Sequence, residues 1–210
     1  MYTLREIFFT LQGEGFHTGR PAVFARFSGC NLWTGREEDR ATAVCTFCDT
    51  EFVGVGPDGG KFATADALAD AIAARWPADA IGGTPFVVCT GGEPLLQLDA
   101  KAIDALHARG FAVAVETNGT QHAPRGLDWI TVSPKAAAPL ALIRGDELKL
   151  VFPQRDAPPE RFEQMDFTHF FLQPMDSTEL PLHTARALDY CLSHPRWHLS
   201  LQTHKVLGIR

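Results

Sequence analysis

The residues best suited to chemistry are three cysteines, Cys30, Cys45 and Cys48. Fourteen residues separate the first two, and two separate the second pair. A Cys-x2-Cys pair brings two thiolates to one metal centre, and a third cysteine at a strand end can join them across a loop. Three thiolates hold three irons of a 4Fe–4S cluster and leave the fourth open to a cofactor or substrate. Two other readings stay open on the cysteines alone. Zinc uses such pairs but closes its shell with a fourth Cys or His; His17 is available, though nothing in its spacing marks it. Free cysteines are also often buried, because Cys packs as a small hydrophobe. Here the flanks, SGCNLW and CTFCDT, are polar and contain glycine, which suits burial less well. Cys89 and Cys191 lie within apolar runs and read as core residues.

Four more segments place polar groups directly after an apolar run. FVVCTGGEP ends in two glycines, which let a backbone approach a ligand closely, and in Glu93, which can accept hydrogen bonds from an ammonium group or simply cap a turn. FAVAVETNGT ends in Glu116, Thr117 and Asn118. ITVSPK supplies Ser133 and Lys135, and FFLQPMD supplies Gln173 and Asp176. Any one of these reads best as a solvated strand end. Together they point to one rim, because ligands of parallel β/α folds collect at the carboxyl ends of the strands.

The elements that must position these groups follow from periodicity. Strand-like runs cover 6–9, 22–27, 86–89, 111–116, 129–133, 147–152, 169–173 and 197–202. Several are continuously apolar, as expected for strands buried on both faces. Helices are expected over 64–76, over 99–109 with Asp99 as N-cap and Gly110 as stop, and over 182–194 before Pro195. Strand–helix–strand alternation implies parallel pairing with right-handed crossovers. Segments 120–128 and 153–159 read as loops. The charged stretch 31–44 reads as an inserted loop, with room for a helical turn, that spaces the cysteines.

With 210 residues the chain is expected to form a single domain, 1–210, large enough to build a core without disulfides. The net charge of −6 weighs against non-specific nucleic-acid binding, which depends on neutralised phosphates. No signal peptide is evident, and no apolar run approaches membrane-spanning length. A cytoplasmic location is therefore expected, where five cysteines serve as ligands or core residues rather than disulfides.

In this order, the cysteine triad, GGEP, ETNG, SPK and QPMD resemble the radical SAM superfamily. The usual spacing there is Cys-x3-Cys-x2-Cys. The longer Cys-x14-Cys-x2-Cys loop, with LQGEG, GCNLW, CDT and the ending SLQTHKVLGI, resembles the 7-carboxy-7-deazaguanine synthase family over essentially the whole chain. The resemblance implies an abridged, partial TIM-like α/β barrel of parallel strands. It implies conversion of 6-carboxy-5,6,7,8-tetrahydropterin to 7-carboxy-7-deazaguanine with loss of ammonia, on the way to queuosine and other 7-deazapurines. It further implies that the 5′-deoxyadenosyl radical is the catalytic species, with no catalytic side chain beyond the cofactor. Implied cofactors are a 4Fe–4S cluster on Cys30, Cys45 and Cys48, S-adenosylmethionine (SAM), and Mg²⁺ at Thr50. Implied SAM contacts are Phe47, Gly91, Gly92, Glu93, Ser133, Pro134, Lys135, Gln173, Pro174, Met175 and Asp176. Implied substrate contacts are Leu11, Gln12, Gly13, Glu14, Arg26, Thr90, His204 and Arg210. Arg26 suits the substrate carboxylate, because a guanidinium can hold one with two hydrogen bonds. Implied partners are an electron donor such as flavodoxin and a second copy in a homodimer, with no nucleic acid or membrane. Other readings are a different radical SAM enzyme, such as a glycyl-radical activase, or a zinc-bound structural module.

Overall fold

Strand β2 (Pro21–Phe27) shows how the sheet acquires two distinct faces. Successive side chains of a strand point to opposite sides. Val23, Ala25 and Phe27 pack into the main core, whereas Ala22 and Phe24 belong to a separate inner cluster. The same alternation runs through β4 (Phe86–Gly91), where Val87 and Cys89 face one way and Phe86, Val88 and Thr90 the other. In a computed structural model describing residues 1–136 and 138–210, this pattern extends across nine strands. The others are β1 (Tyr2–Leu11), β3 (Gly60–Phe62), β5 (Ala112–Thr117), β6 (Trp129–Val132), β7 (Arg144–Phe152), β8 (Asp166–Pro174) and β9 (Trp197–Leu199).

Their order is β3-β1-β2-β4-β5-β6-β7-β8-β9. The pairs from β2 to β9 are all parallel, and β1 runs antiparallel to both β2 and β3. The end strands β3 and β9 are not neighbours, so the sheet forms a partial barrel, as expected.

Helices α1 (Ala65–Ala73) and α2 (Ala100–His107) cover the first half of the outer face. Leu68, Ile72, Ile103 and Leu106 pack there with Val87, Val113 and Val115. Thr64 and Asp99 cap the two helices by accepting from Ala67 and Ala102 backbone N–H groups. Asp99 also accepts from the Tyr2 hydroxyl at 2.8 Å, tying α2 to β1. Helix α3 (Leu180–Ser193) covers the second half, where Ala187 joins Leu148, Leu150, Phe170 and Trp197. Cys89 is fully buried, while Cys191 is half-buried against the second core. Among the described residues no helix is long and apolar enough to cross a membrane.

Three expectations need correction. Helix 64–76 is shorter, ending at Ala73, and helix 182–194 starts earlier, at Leu180, with Pro181 in the first turn, where its missing N–H costs nothing. Among the described residues no α-helix lies between β5 and β8, in line with the loops expected over 120–128 and from 153. The expected strand 197–202 stops at Leu199, and the chain turns into α4 (Thr203–Leu207), whose Thr203 donates N–H and hydroxyl to the Gly13 carbonyl, both at 2.9 Å. Strand β3 was not anticipated, because three residues of β structure carry no usable periodicity. The 31–44 loop does contain the helical turn, a 3-10 turn over Glu37–Thr42.

Candidate active site

The inner face of the partial barrel is not apolar throughout. At the carboxyl ends of the parallel strands it presents Arg26 from β2, Thr90 from β4, Glu116 from β5, Lys149 and Val151 from β7, and Gln173 from β8. These side chains surround a cavity of about 380 Å³, the size of a small-molecule site. The cysteine loop forms one wall through Cys45, Phe47, Cys48, Asp49 and Thr50. Segment 11–14 forms another, and Gln202, His204, Lys205 and Arg210 lie across the mouth.

The three cysteines pack together with Leu32, Phe47 and Ala138. Cys45 and Cys48 line the cavity, and Cys30 sits behind them. The Cys45 thiol donates to Cys48, which draws Cys48 down to about 6 and holds Cys45 up. Burial pushes the Cys30 thiol up. His17, the available fourth zinc ligand, is elsewhere: it packs on Phe86 and Trp129, which open β4 and β6 at the opposite end of the barrel.

The Gly-Gly turn explains itself by close packing. Gly91 has φ +139°, and a Cβ there would strike the Phe27 backbone. A Cβ on Gly92 would strike the Gly29 carbonyl and the Cys30 side chain. The glycines thus seat the cysteine loop directly on β4, fixed by Glu93 N–H donating to Gly29 O at 2.9 Å.

Placement differs from expectation for three members of the implied SAM set. Gly91, Glu93 and Pro134 do not line the cavity. Glu93 has no exposed surface, and its carboxylate accepts from Leu95 N–H at 3.0 Å, Thr117 hydroxyl at 2.8 Å and Asn118 N–H at 2.8 Å. It braces the turn after β4 against the turn after β5, and burial pushes its carboxyl up. Pro134 is buried, with its carbonyl accepting from Gln154 at 3.1 Å. The other implied contacts all line the cavity: Phe47, Gly92, Ser133, Lys135, Gln173, Pro174, Met175 and Asp176, then Leu11, Gln12, Gly13, Glu14, Arg26, Thr90, His204 and Arg210, with Thr50.

Both arginines among these arrive already paired. Arg26 Nε donates to Glu6 Oε1 at 2.8 Å, and Arg210 donates to Glu6 Oε2 at 2.5 Å and to Asp58 at 3.0 Å. At the mouth, Lys205 donates to Asp49 at 2.8 Å and Asp176 at 2.6 Å, joining the cysteine loop to the end of β8. His204 rests on Gly13, where a Cβ would collide with the imidazole.

Sequence reasoning missed Lys149, Glu147, Glu6, Asp49, Gln202 and Lys205. It noted Glu116 as a polar strand end without a role. For β7 a signal was present: Glu147 and Lys149 alternate with Leu148 and Leu150, so both face the side opposite the apolar core. Lys149 is buried and donates to Glu14 at 2.5 Å and Glu116 at 3.5 Å. Glu147 is also buried, and its Oε2 accepts from Phe16 N–H at 3.2 Å. Burial pushes Glu147 to about 7, against the pull of Lys149.

That shift has a measurable sign. Between 4.5 and about 7 the folded protein keeps a proton on Glu147 that the unfolded chain has lost. This contribution therefore weakens as pH rises through that window. Glu147→Gln, which mimics the protonated acid, should be near neutral at pH ~5 and stabilising by up to about 3 kcal/mol at pH ~7.5. Urea unfolding at both values checks it; an equal effect at both would mean that Glu147 does not titrate in this range.

No protein-family model matches the chain. Curated relatives do. The chain is 64% identical over 211 residues to a 7-carboxy-7-deazaguanine synthase from Caulobacter vibrioides, covering 99% of each chain. It is 63% identical over 212 residues to the one from Bordetella pertussis, again covering 99% of each. The crystal structure of QueE from Escherichia coli superposes with a TM-score of 0.72 at 27% identity, covering 95% of this chain and 93% of that one. Identity at this level along the full length, on a backbone that shares the same fold, leaves one conclusion: the chain belongs to the 7-carboxy-7-deazaguanine synthase family of radical SAM enzymes.

Proposed function

We propose that the chain converts 6-carboxy-5,6,7,8-tetrahydropterin to 7-carboxy-7-deazaguanine and ammonia. The observation that carries this reading is a single cavity with the cysteine pair on one wall and Arg26 on another. It lets a carboxylate-bearing small molecule lie beside a cluster-bound cofactor.

The residues fit the group this chemistry needs. Three soft thiols, Cys30, Cys45 and Cys48, pack together beside the cavity, and such a donor set suits iron–sulfur ligation with one iron left open. Cys30, Cys45 and Cys48 would hold the cluster, which with SAM supplies hydrogen-atom abstraction when bound.

The chain's own residues bind, orient and shield. Gly92, Ser133, Lys135, Met175 and Asp176, with Phe47, form the side suited to SAM. Gly91, Glu93 and Pro134 support that side from behind. Leu11, Gln12, Gly13, Glu14, Thr90 and His204 shape the substrate side, where Arg26 and Arg210 offer positive charge. Thr50, on the cavity wall, would offer its hydroxyl oxygen to Mg²⁺, a hard cation that would help hold substrate oxygens there. A reductant such as flavodoxin and a homodimeric assembly in the cytoplasm complete the proposal.

The test is an anaerobic assay of the reconstituted protein with the carboxy-tetrahydropterin, SAM and reductant. Stoichiometric 7-carboxy-7-deazaguanine and ammonia are expected; a protein loaded with cluster that yields neither overturns the reading. Thr50→Ala in the same assay should weaken the response to magnesium more than the affinity for SAM. Identical magnesium titrations of wild type and variant would remove Thr50 from the metal site.

A further inference from the structure

The floor of the cavity holds an ionic layer that the family resemblance did not assign. Lys149, from the middle of β7, is buried among carboxylates. It donates to Glu14 Oε2 at 2.5 Å and lies 3.5 Å from Glu116 Oε1. Two amides complete the layer. Gln202 donates to Glu14 Oε1 at 3.0 Å, and Gln12 donates to Glu116 Oε1 at 2.9 Å while its own oxygen accepts from Glu14 N–H at 3.1 Å. Both oxygens of Glu14 are therefore engaged. Glu116 Oε2 has no hydrogen-bond partner among the described residues, and Glu116 lines the cavity.

The charge balance is unequal. Glu14, Glu116 and Glu147 surround one ammonium, and an unpaired buried carboxylate is costly. Glu147 lies toward the opposite end of the barrel, near His17, and has no cation in hydrogen-bond contact. The groups facing Glu14 are Lys149, Gln202 and His204; Lys135 adds a second ammonium beside Lys149. Glu116, which lines the cavity, thus keeps one carboxylate oxygen open to an N–H donor.

We propose that Lys149 is a positioning residue for the reaction, clamping Glu14 and Glu116 so that the free Glu116 oxygen accepts from the N–H-rich edge of the pterin. This rests on the pterin reading above. It makes the cavity bipolar, with Arg26 taking the carboxylate end and the Lys149 layer the amino-pyrimidine end. Lys149 touches no reacting atom. It holds Glu14 below the usual carboxylate range despite burial, so the acceptors stay anionic.

Lys149→Met removes the charge and keeps the length. The readouts are KM and kcat across pH, and the affinity of oxidised, unreduced holoenzyme for 6-carboxypterin, an analogue that cannot turn over. The variant should weaken analogue binding and raise KM by about 10–100-fold, with a smaller change in kcat. Its acid limb should move to higher pH, because Glu14 without its cation keeps a proton longer. Lys149→Arg, which preserves the charge, should leave the limb in place. A merely structural lysine would lower the folded fraction without moving the limb. If Lys149→Met does not fold, Lys149→Met with Glu147→Gln relieves the unpaired negative charge and carries the same outcomes. Wild-type turnover combined with an unmoved limb and unchanged analogue affinity in the variant overturns the Lys149 assignment alone. A wild type that neither turns over the substrate nor binds the analogue overturns the pterin reading and this proposal with it.

Discussion

Replacing Cys30, Cys45 or Cys48 by alanine should abolish turnover and strip most of the iron from the protein, while Cys191→Ala should leave both intact. The expectation follows from ligand count. Three thiolates leave one iron of the cluster open, and losing any of them removes a ligand that water replaces poorly. The substitutions are small in volume, and the cysteines sit in a minor cluster with Leu32, Phe47 and Ala138 rather than in the main core. The fold should therefore survive, and lost activity would report lost ligation. Iron and sulfide analysis, the brown colour of the anaerobic protein and thermal unfolding separate the two effects. Full turnover in any of the three ligand variants would falsify the assignment. A colourless wild type that binds stoichiometric zinc would do the same.

Arg26→Ala should cost on the order of 10–100-fold in kcat/KM, mostly through KM, as expected for removing charged hydrogen bonds to a substrate carboxylate. Glu6 holds the Arg26 Nε at 2.8 Å and is itself held by Arg210. One edge of the guanidinium is thereby fixed, and among the described residues its terminal nitrogens form no hydrogen bond. Arg26→Lys should rescue poorly, because an ammonium offers no planar fork and cannot satisfy Glu6 and a substrate from the same position. Glu6→Gln should have a smaller effect of the same kind, since it loosens the orientation without removing the cation. Steady-state kinetics of the three variants decide this. An unchanged KM in Arg26→Ala would place the substrate carboxylate elsewhere, with Arg210 the next residue to test.

The central strands were legible as short, continuously apolar runs, as expected where both faces of a strand are buried. FVVC and FAVAV became β4 and β5 within a residue or two. Helix α2 was legible from its cap, Asp99, and from Ile103 and Leu106 on one face. By contrast β3 and α4 are short, and local propensity cannot specify them; β1 supplies the partner that makes β3 a strand, and Gly13 receives α4. The connections after β5 and β7 were legible as loops from their polar and proline-rich composition, and no α-helix among the described residues interrupts β5 to β8.

For the site, residue types and spacing pointed to a thiolate-bound centre at one rim, with zinc and core readings still open, and the family resemblance supplied the reaction. Three soft thiolates, a glycine turn and a series of polar strand ends are visible without any coordinates, because residue type and strand direction are local properties. Tertiary structure alone decided which of those groups face the cavity. Glu93 looked available and is consumed by three internal hydrogen bonds, while Gly91 and Pro134 stand behind the wall. Lys149 looked like strand filler and lies at the centre of the floor, 135 residues from Glu14 in sequence and 2.5 Å away in space. Such pairings depend on strand register and barrel curvature. Those are set by the packing of the whole sheet against its helices, and no window of the sequence contains them.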